Sequence, residues 1–176
     1  LRSPKGNVYL LVDDKLRGIV SPEVFRVIGF NPEEVIEVEW EEIHNFEEIE
    51  PITLASIYPT GALLQNKFTG GVYYVEDGIK YPIWSLELMK ANYPNRVLTQ
   101  VSPEELDKYK TGEPVRFEDG ELIKSFAAPD VYVISNGKRR PIVSGKVFED
   151  LGYKWDNVIS TSQKVAILHT QGELVQ

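Results

Sequence analysis

The residues able to do chemistry are few in kind. The chain has two histidines, His44 and His169, and its acids often come as neighbours: Asp13-Asp14, Glu33-Glu34, Glu41-Glu42, Glu47-Glu48 and Glu104-Glu105. A glycosidase holds two carboxylates across a cleft, one with its pKa raised by burial. These pairs lie instead in polar runs on expected helices and turns, and read as solvated faces. A serine nucleophile needs a base and a strained elbow, yet no G-x-S-x-G, P-loop, dinucleotide fingerprint or HExxH occurs. The pattern D-x-[DN]-x-[DN]-G is absent too, so calcium has no support from a loop motif. With no cysteine, disulfides, thiolate zinc and cysteine nucleophiles are excluded. The reading is of no catalytic residue, no metal ligand and no cofactor.

The features that stand out are not singular but repeated. Aligned on a Val-Tyr pair, three stretches correspond: VYLLVDDKLRGIVSPEVFRVIGF from Val8, VYYVEDGIKYPIWSLELMKANY from Val72, and VYVISNGKRRPIVSGKVFEDLGY from Val131. Their tyrosines, Tyr9, Tyr73 and Tyr132, are 64 and 59 residues apart. A fixed period of this size is the signature of repeat architecture. Each unit begins with an alternating strand pattern (VYLLV, VYYVE, VYVIS) and turns at Asp13-Asp14, Asp77-Gly78 or Asn136-Gly137. It then returns as LRGIV, KYPIW or RRPIV. Asp-Gly and Asn-Gly are strong hairpin signals because the turn needs positive φ. Ile19, Ile83 and Ile142 align on the return strand and are expected in the core.

A serine follows in each unit, Ser21, Ser85 and Ser144, ahead of an apolar pattern of helical period. It is placed to cap a helix by accepting from an orphan amide. Gly29 and Gly152 would stop the first and third of these helices, and Asn92 the second. Next comes an extended piece (VIEV, VLTQV, VIST), then a second helix candidate. That candidate is Trp40 to Ile49 in the first unit and Ser162 to His169 in the third. In the second unit it opens on Ser102-Pro103 with Glu105 in capping-box position. Gly61 and Gly120 each stand 12 residues before the Tyr of the unit they introduce, opening the strands GALLQNK and GELIKS. The expected fold is therefore α+β. It comprises three tandem units of about 60 residues (1–60, 61–119 and 120–176), each a three-stranded antiparallel meander with one or two short helices. Units of this size cannot bury their apolar faces alone. They are expected to pack as a small propeller-like ring with pseudo-threefold symmetry or as a linear array.

Against this frame the singular residues can be weighed. The histidines fall in corresponding helix regions of the first and third units, without a match in the second, and read as rim residues. A cation recurs on the return strand, as Arg17, as Lys80 beside Tyr81, and as Lys138, Arg139 and Arg140. It serves either to guard an exposed hairpin edge or to contact an anion or acidic glycan. Trp84 and Trp155 stand where the other units carry smaller residues. They are ligand-binding candidates through their stacking faces, with an inter-unit gap filler as the alternative. The net charge of −8 argues against nucleic acid and anionic lipid, which would be repelled at long range. No apolar run approaches the ~18 residues of a membrane span. The opening LRSPKG lacks Met and reads as an excised piece whose leader could have been removed.

The line from Val131 to Trp155, VYVISNGKRRPIVSGKVFEDLGYKW, resembles a tandem repeat module of bacterial cell-surface and exported proteins, of the type VYxxxNGxxRxIxSxxVFxxxGY. Such modules tend to sit beside peptidoglycan-cleaving or other envelope domains. The resemblance covers nearly the whole chain. The third unit fits best, the second lacks one residue in its helix and the Gly before Tyr93, and the first lacks the turn Gly and the Trp. It carries over no catalytic residues. It implies an extracellular or cell-envelope, non-enzymatic role. Threefold repetition, periodic aromatics with cations and no singular catalytic set point to a module that binds a cell-wall polymer, a glycan or another envelope protein. The alternatives are a layer or filament subunit, or a hydrolase using an acidic pair in which Glu41 or Asp119 would take part.

Overall fold

The computed structural model describes residues 1–176. The protein is α+β: mostly strands, in three open sheets, with a few short helices. There is no closed barrel or propeller; every sheet has two edges.

The first sheet is β1 (Tyr9–Val12), β2 (Lys15–Ile19) and β3 (Glu47–Ile52), with β1 antiparallel and β3 parallel to β2. Single bridges extend it beyond β1, where Arg2 pairs with Val8 and with Glu37. The second sheet is built on a meander, β4 (Ala62–Asn66), β5 (Val72–Glu76) and β6 (Ile79–Ile83). It gains a parallel strand on each side, β7 (Leu98–Val101) along β4 and β8 (Lys110–Thr111) along β6. The third repeats the meander with β9 (Leu122–Ser125), β10 (Val131–Ser135) and β11 (Lys138–Pro141), and β12 (Val158–Thr161) runs parallel to β9. Beside β11, Gln171 and Val175 form parallel bridges with Arg139 and Ile142. The extended pieces VLTQV and VIST thus become outer parallel strands, and the second and third sheets, with five and four strands, are wider than the expected meander.

The hairpin turns form as their residues dictate. Asp13, Asp77 and Asn136 take φ of 47°, 47° and 53°, a left-handed conformation that short polar side chains tolerate best after glycine. Helices follow the capping serines. α1 (Pro22–Ile28) starts on Ser21, whose Oγ accepts from Val24 N–H, and ends on Gly29 at φ 91°. In the second sheet's segment α3 (Leu86–Asn92) starts on Ser85 and in the third α5 (Gly145–Asp150) starts on Ser144. Asn92 does not stop α3 in a left-handed conformation as expected; it is helical, and Tyr93 ends the helix at φ −132°.

The second helices are single turns: α2 (Trp40–Ile43), α4 (Pro103–Leu106) and α6 (Gln163–Ala166). The stretch Trp40 to Ile49, expected as one helix, breaks at His44, and its end becomes β3. Four residues of β3 are glutamate or proline, which solvate well at an edge but do not pack on a core. At Ser102 the hydroxyl caps Glu105 N–H, but the Glu105 carboxylate turns to Lys108 and Tyr109, so the reciprocal half of the box is missing.

Both faces of the third sheet are covered. Ile123 and Ile134 on one face pack with Val165 and Ala166 of α6 and with Leu88 of α3 and Phe117. Leu122, Val131 and Val133 on the other face pack with Phe148 of α5. In the second sheet Leu64 and Val75 pack with Leu106 and Tyr109, and Tyr58 lies against them. Phe117 and Tyr58 each stand three residues ahead of a glycine, Gly120 and Gly61. Each is brought onto the sheet that follows it. Ile83 joins the Phe117 core and Ile142 the Phe148 core, whereas Ile19 lines an open cleft with Phe25 and Arg26.

The glycine at position 61 is dictated by space as well as by φ. It adopts φ +73°, and a Cβ there would fall 2.0 Å from the Tyr74 hydroxyl.

Phe117 is 4% exposed and bridges segments of two sheets. Phe117→Ala is expected to destabilise the chain by about 3 kcal/mol. Val97→Ala, at a site 82% exposed, should change it by less than ~0.5 kcal/mol. Urea denaturation followed by tryptophan fluorescence compares the two; equal effects would refute the bridging role.

Candidate functional site

The recurrent cations are largely consumed inside the fold. Arg17 is buried, with only 7% exposure. Its Nε donates to Glu50 O at 3.0 Å in β3, and its Nη1 pairs with Asp77 Oδ2 at 2.8 Å in the β5–β6 turn. Nη1 also reaches Pro59 O at 3.5 Å. This corrects the expectation of an edge or anion-contacting cation: Arg17 ties the first sheet to the second. The cause is register, because Arg17 opposes Leu10 and so points to the face on which the next segment packs.

Lys80 is likewise turned inward. Its Nζ donates to Leu106 O at 2.8 Å, at the C-terminal end of α4, and lies 5.8 Å from the Tyr73 ring. Lysine at a helix C-terminus satisfies a carbonyl and complements the dipole. Tyr81 is half-buried against Gly112, where a Cβ would approach its ring to 2.7 Å, and 6.5 Å from Tyr74. Arg139 lies 5.4 Å over Tyr132, with its Nε buried and unpartnered. Arg140 donates Nε to Glu173 O at 3.3 Å. Lys138, exposed, packs its stem against Gly172.

The two candidate tryptophans are apart. Trp84, 40% exposed, follows β6 and carries Lys164 Nζ of α6 over its ring at 4.1 Å. One of its faces is therefore occupied. Trp155 is 52% exposed and lies across α5. Its ring stacks on Phe148 with centroids 4.1 Å apart and planes at 23°, and passes 3.5 Å from the Cβ position of Gly145. Its Nε1 donates to Glu149 Oε1 at 3.1 Å. Trp155 thus fills no gap between sheets; it is a ring held in one orientation with substantial surface in solvent. Its neighbours in sequence, Lys154 and Asp156, line an open cleft of about 580 Å³ with Gly120, Glu121, Tyr153 and Asn157. Donors and acceptors converge in that cleft, but the Trp155 ring does not line it.

The histidines do not meet. His44 stacks on Trp40, with centroids 5.7 Å apart. His169 is 1% exposed; its Nδ1 lies 2.9 Å from Gly137 O. Since a carbonyl only accepts, Nδ1 carries the proton, and Nε2 is left as a buried lone pair without a donor. His169 is therefore not the expected rim residue. The carboxylate of Asp119 caps the third turn, accepting from Asn136 N–H at 2.7 Å and Gly137 N–H at 2.9 Å, while Glu41 lies exposed in α2. Tyr58, Phe117 and Asp77 carried no sequence signal as joining residues; the visible hint was that the first two hold the same place relative to a glycine.

No family model matches the chain, and no curated protein does. Among solved structures it is similar to a chain of the periplasmic assembly from the ESX-5 inner membrane complex, with a TM-score of 0.24 and 10% identity over 99% of this chain and 63% of that one. A chain of the intact ESX-5 inner membrane complex gives 0.25 and 9%, over 100% of this chain and 51% of that one. The protein spans less than two thirds of either. Likeness at this level carries no weight for function. No helix is long and apolar enough to cross a membrane.

Two outcomes follow from the buried groups. Arg17→Ala removes three polar contacts and leaves Asp77 without its ion pair, so it should cost about 2–3 kcal/mol, against less than ~1 kcal/mol for exposed Lys15→Ala; a thermal melt showing equal shifts would refute the clamp. Burial lowers the pKa of His169 below the usual histidine value. The unfolded chain then takes up the proton first. Stability should be full above the unfolded-state value of ~6.5 and fall as pH drops through the window down to the folded pKa. Denaturation midpoints at pH 8 and pH 5 in wild type and His169→Phe measure this; an unchanged acid loss in the variant would assign it elsewhere.

Proposed function

We propose that the chain is a non-enzymatic structural and binding module of a secreted or cell-surface protein, built from three stacked repeat units, and that Trp155 is the centre of a glycan or cell-wall polymer site. The units are 1–60, 61–119 and 120–176. Support for the repeat comes from the sheets themselves. Each has a central antiparallel hairpin, a parallel partner on the return strand and a parallel partner on the far side, made by strands or by single bridges. In this reading the units form a linear array; each connecting aromatic, Tyr58 or Phe117, packs on the sheet ahead of it.

The single observation that carries the binding site is the Trp155 ring, fixed on Phe148 and by Glu149 yet half in solvent. A rigid exposed aromatic binds the apolar face of a sugar ring with little ordering cost. At the ring itself the Glu149 carboxylate is the polar group shown, accepting from Trp155 Nε1. Trp84, with a lysine over one face, is the weaker candidate. The extracytoplasmic setting and a partner in the envelope rest on the resemblance of the Val131–Trp155 line to surface-protein repeats.

Calorimetric titration with soluble peptidoglycan fragments and a glycan panel, together with pull-down on purified sacculi, tests this. Trp155→Ala should weaken binding about tenfold or more, and Trp84→Ala much less. Absence of binding across the panel, or binding indifferent to Trp155, would sink the glycan site.

A further inference from the structure

We propose that the open cleft over α1 binds an aromatic ring carrying a carboxylate, with Phe25 against the ring and Arg26 on the acid. The cleft holds about 530 Å³, and Pro22, Phe25, Arg26 and Pro32 are among the residues that line it. The corresponding place in the third segment is closed, and what closes it points to the occupant. The two segments match without insertion from Ser21 to Val35 and from Ser144 to Val158. Both helices start on the serine cap. Both carry a ring pair of one geometry: Phe25 and Phe30 have centroids 5.6 Å apart and planes at 40°, Phe148 and Tyr153 5.4 Å and 53°. Both run into a 3₁₀ turn, Pro32–Glu34 or Trp155–Asn157. Each turn ends on a valine in the same conformation, Val35 at φ −76°, ψ 119° and Val158 at φ −77°, ψ 112°. Pro22 thus stands at the place of Gly145, Phe25 at Phe148, Arg26 at Glu149 and Pro32 at Trp155.

In the third segment the Trp155 indole takes the space. It stacks on Phe148, passes 3.5 Å from the Cβ position of Gly145, and donates its edge N–H to Glu149. Phe148 is buried with it. In the first segment Pro32 is too short to cover Phe25, which is half-buried, and the cleft stands open. The residues that line it are the counterparts of those that hold Trp155, so a ring brought from elsewhere meets the same kind of seat. Its polar edge is inverted. Where Glu149 accepts, Arg26 can only donate, so the occupant must bring an acceptor, and a carboxylate matches a guanidinium best. Arg26 is exposed and in no ion pair. Arg2 lines the cleft as well, with Glu37 3.5 Å from it, and no carboxylate is among the lining residues. The cleft is therefore locally basic in a chain of net charge −8.

Two sources share this chemistry: a free aryl acid, and a tryptophan beside an aspartate in a polypeptide. Indole-3-acetate represents the first and the capped dipeptide acetyl-Trp-Asp-amide the second; indole-3-acetamide is the neutral control. Two-dimensional NMR titration of the full chain is the test, and a fragment of this size that fits should bind at about 1 mM or tighter. Saturable shifts are expected at Phe25 and Arg26, with the acid bound about threefold tighter than the amide. Arg26→Gln should bring the acid down to the level of the amide and leave the amide unchanged. Pro32→Trp should abolish binding of every probe by filling the seat, and Arg26→Glu added to it should raise the melting temperature by giving the new indole N–H its acceptor. Whichever of the free acid and the dipeptide binds tighter assigns the source. No saturable shift at ~10 mM, equal binding of acid and amide, or binding untouched by Pro32→Trp overturns the proposal. The glycan site fails or stands separately, because Trp155→Ala should leave these titrations as they are.

Discussion

Tyr58 and Phe117 meet a constraint that every other part of the structure answers to. An open sheet has two faces, and a segment of about 60 residues with one helix of two turns and one of a single turn cannot cover both. The connecting segment solves this by placing an aromatic ring on the sheet it is about to enter, where it joins Leu64 and Val75 or Ile123 and Ile134. Burial of such a ring is worth a few kcal/mol, enough to make neighbouring sheets depend on one another. The short helices then need only cap the remaining surface.

The elements themselves are held as much by irregular backbone as by ladders. Of 91 backbone hydrogen bonds, 38 lie within helices and strands, so turns, caps and single bridges carry the larger share. That is why the serine caps and the left-handed turn residues recur so plainly in the sequence. Each satisfies amides or a φ value that a short element cannot spread over many residues. It also explains why local signals were so informative: the hairpins, Ser21, Ser85 and Ser144, and the glycine stops at Gly29 and Gly152 were all legible from residue type alone.

What was not legible was everything that depends on neighbours across sheets. The acidic stretch after Trp40 reads as helix, but a parallel place beside β2 was open and Glu47–Ile52 took it. Arg17 looks like Arg140 in sequence, yet one is a buried clamp and the other half-exposed, because only one has a further sheet packed against it. His169 was expected at a rim and is enclosed. Trp155 stands out in the sequence, but its support by Phe148 and Gly145 comes from a fold of the chain that spacing does not reveal.

The third hairpin turn carries one more consequence. Asn-Gly is the peptide sequence most prone to ageing, since the glycine amide nitrogen can attack the asparagine side chain, form a succinimide and release ammonia. In this turn the Gly137 N–H is bound to an Asp119 carboxylate oxygen and the Asn136 N–H to the other. A carboxylate that accepts from an amide opposes its deprotonation, and the hairpin fixes the backbone away from free rotation. Asp119 therefore acts as a preservative: the folded turn keeps its asparagine, and chemical wear at this bond becomes a record of how often the hairpin has opened.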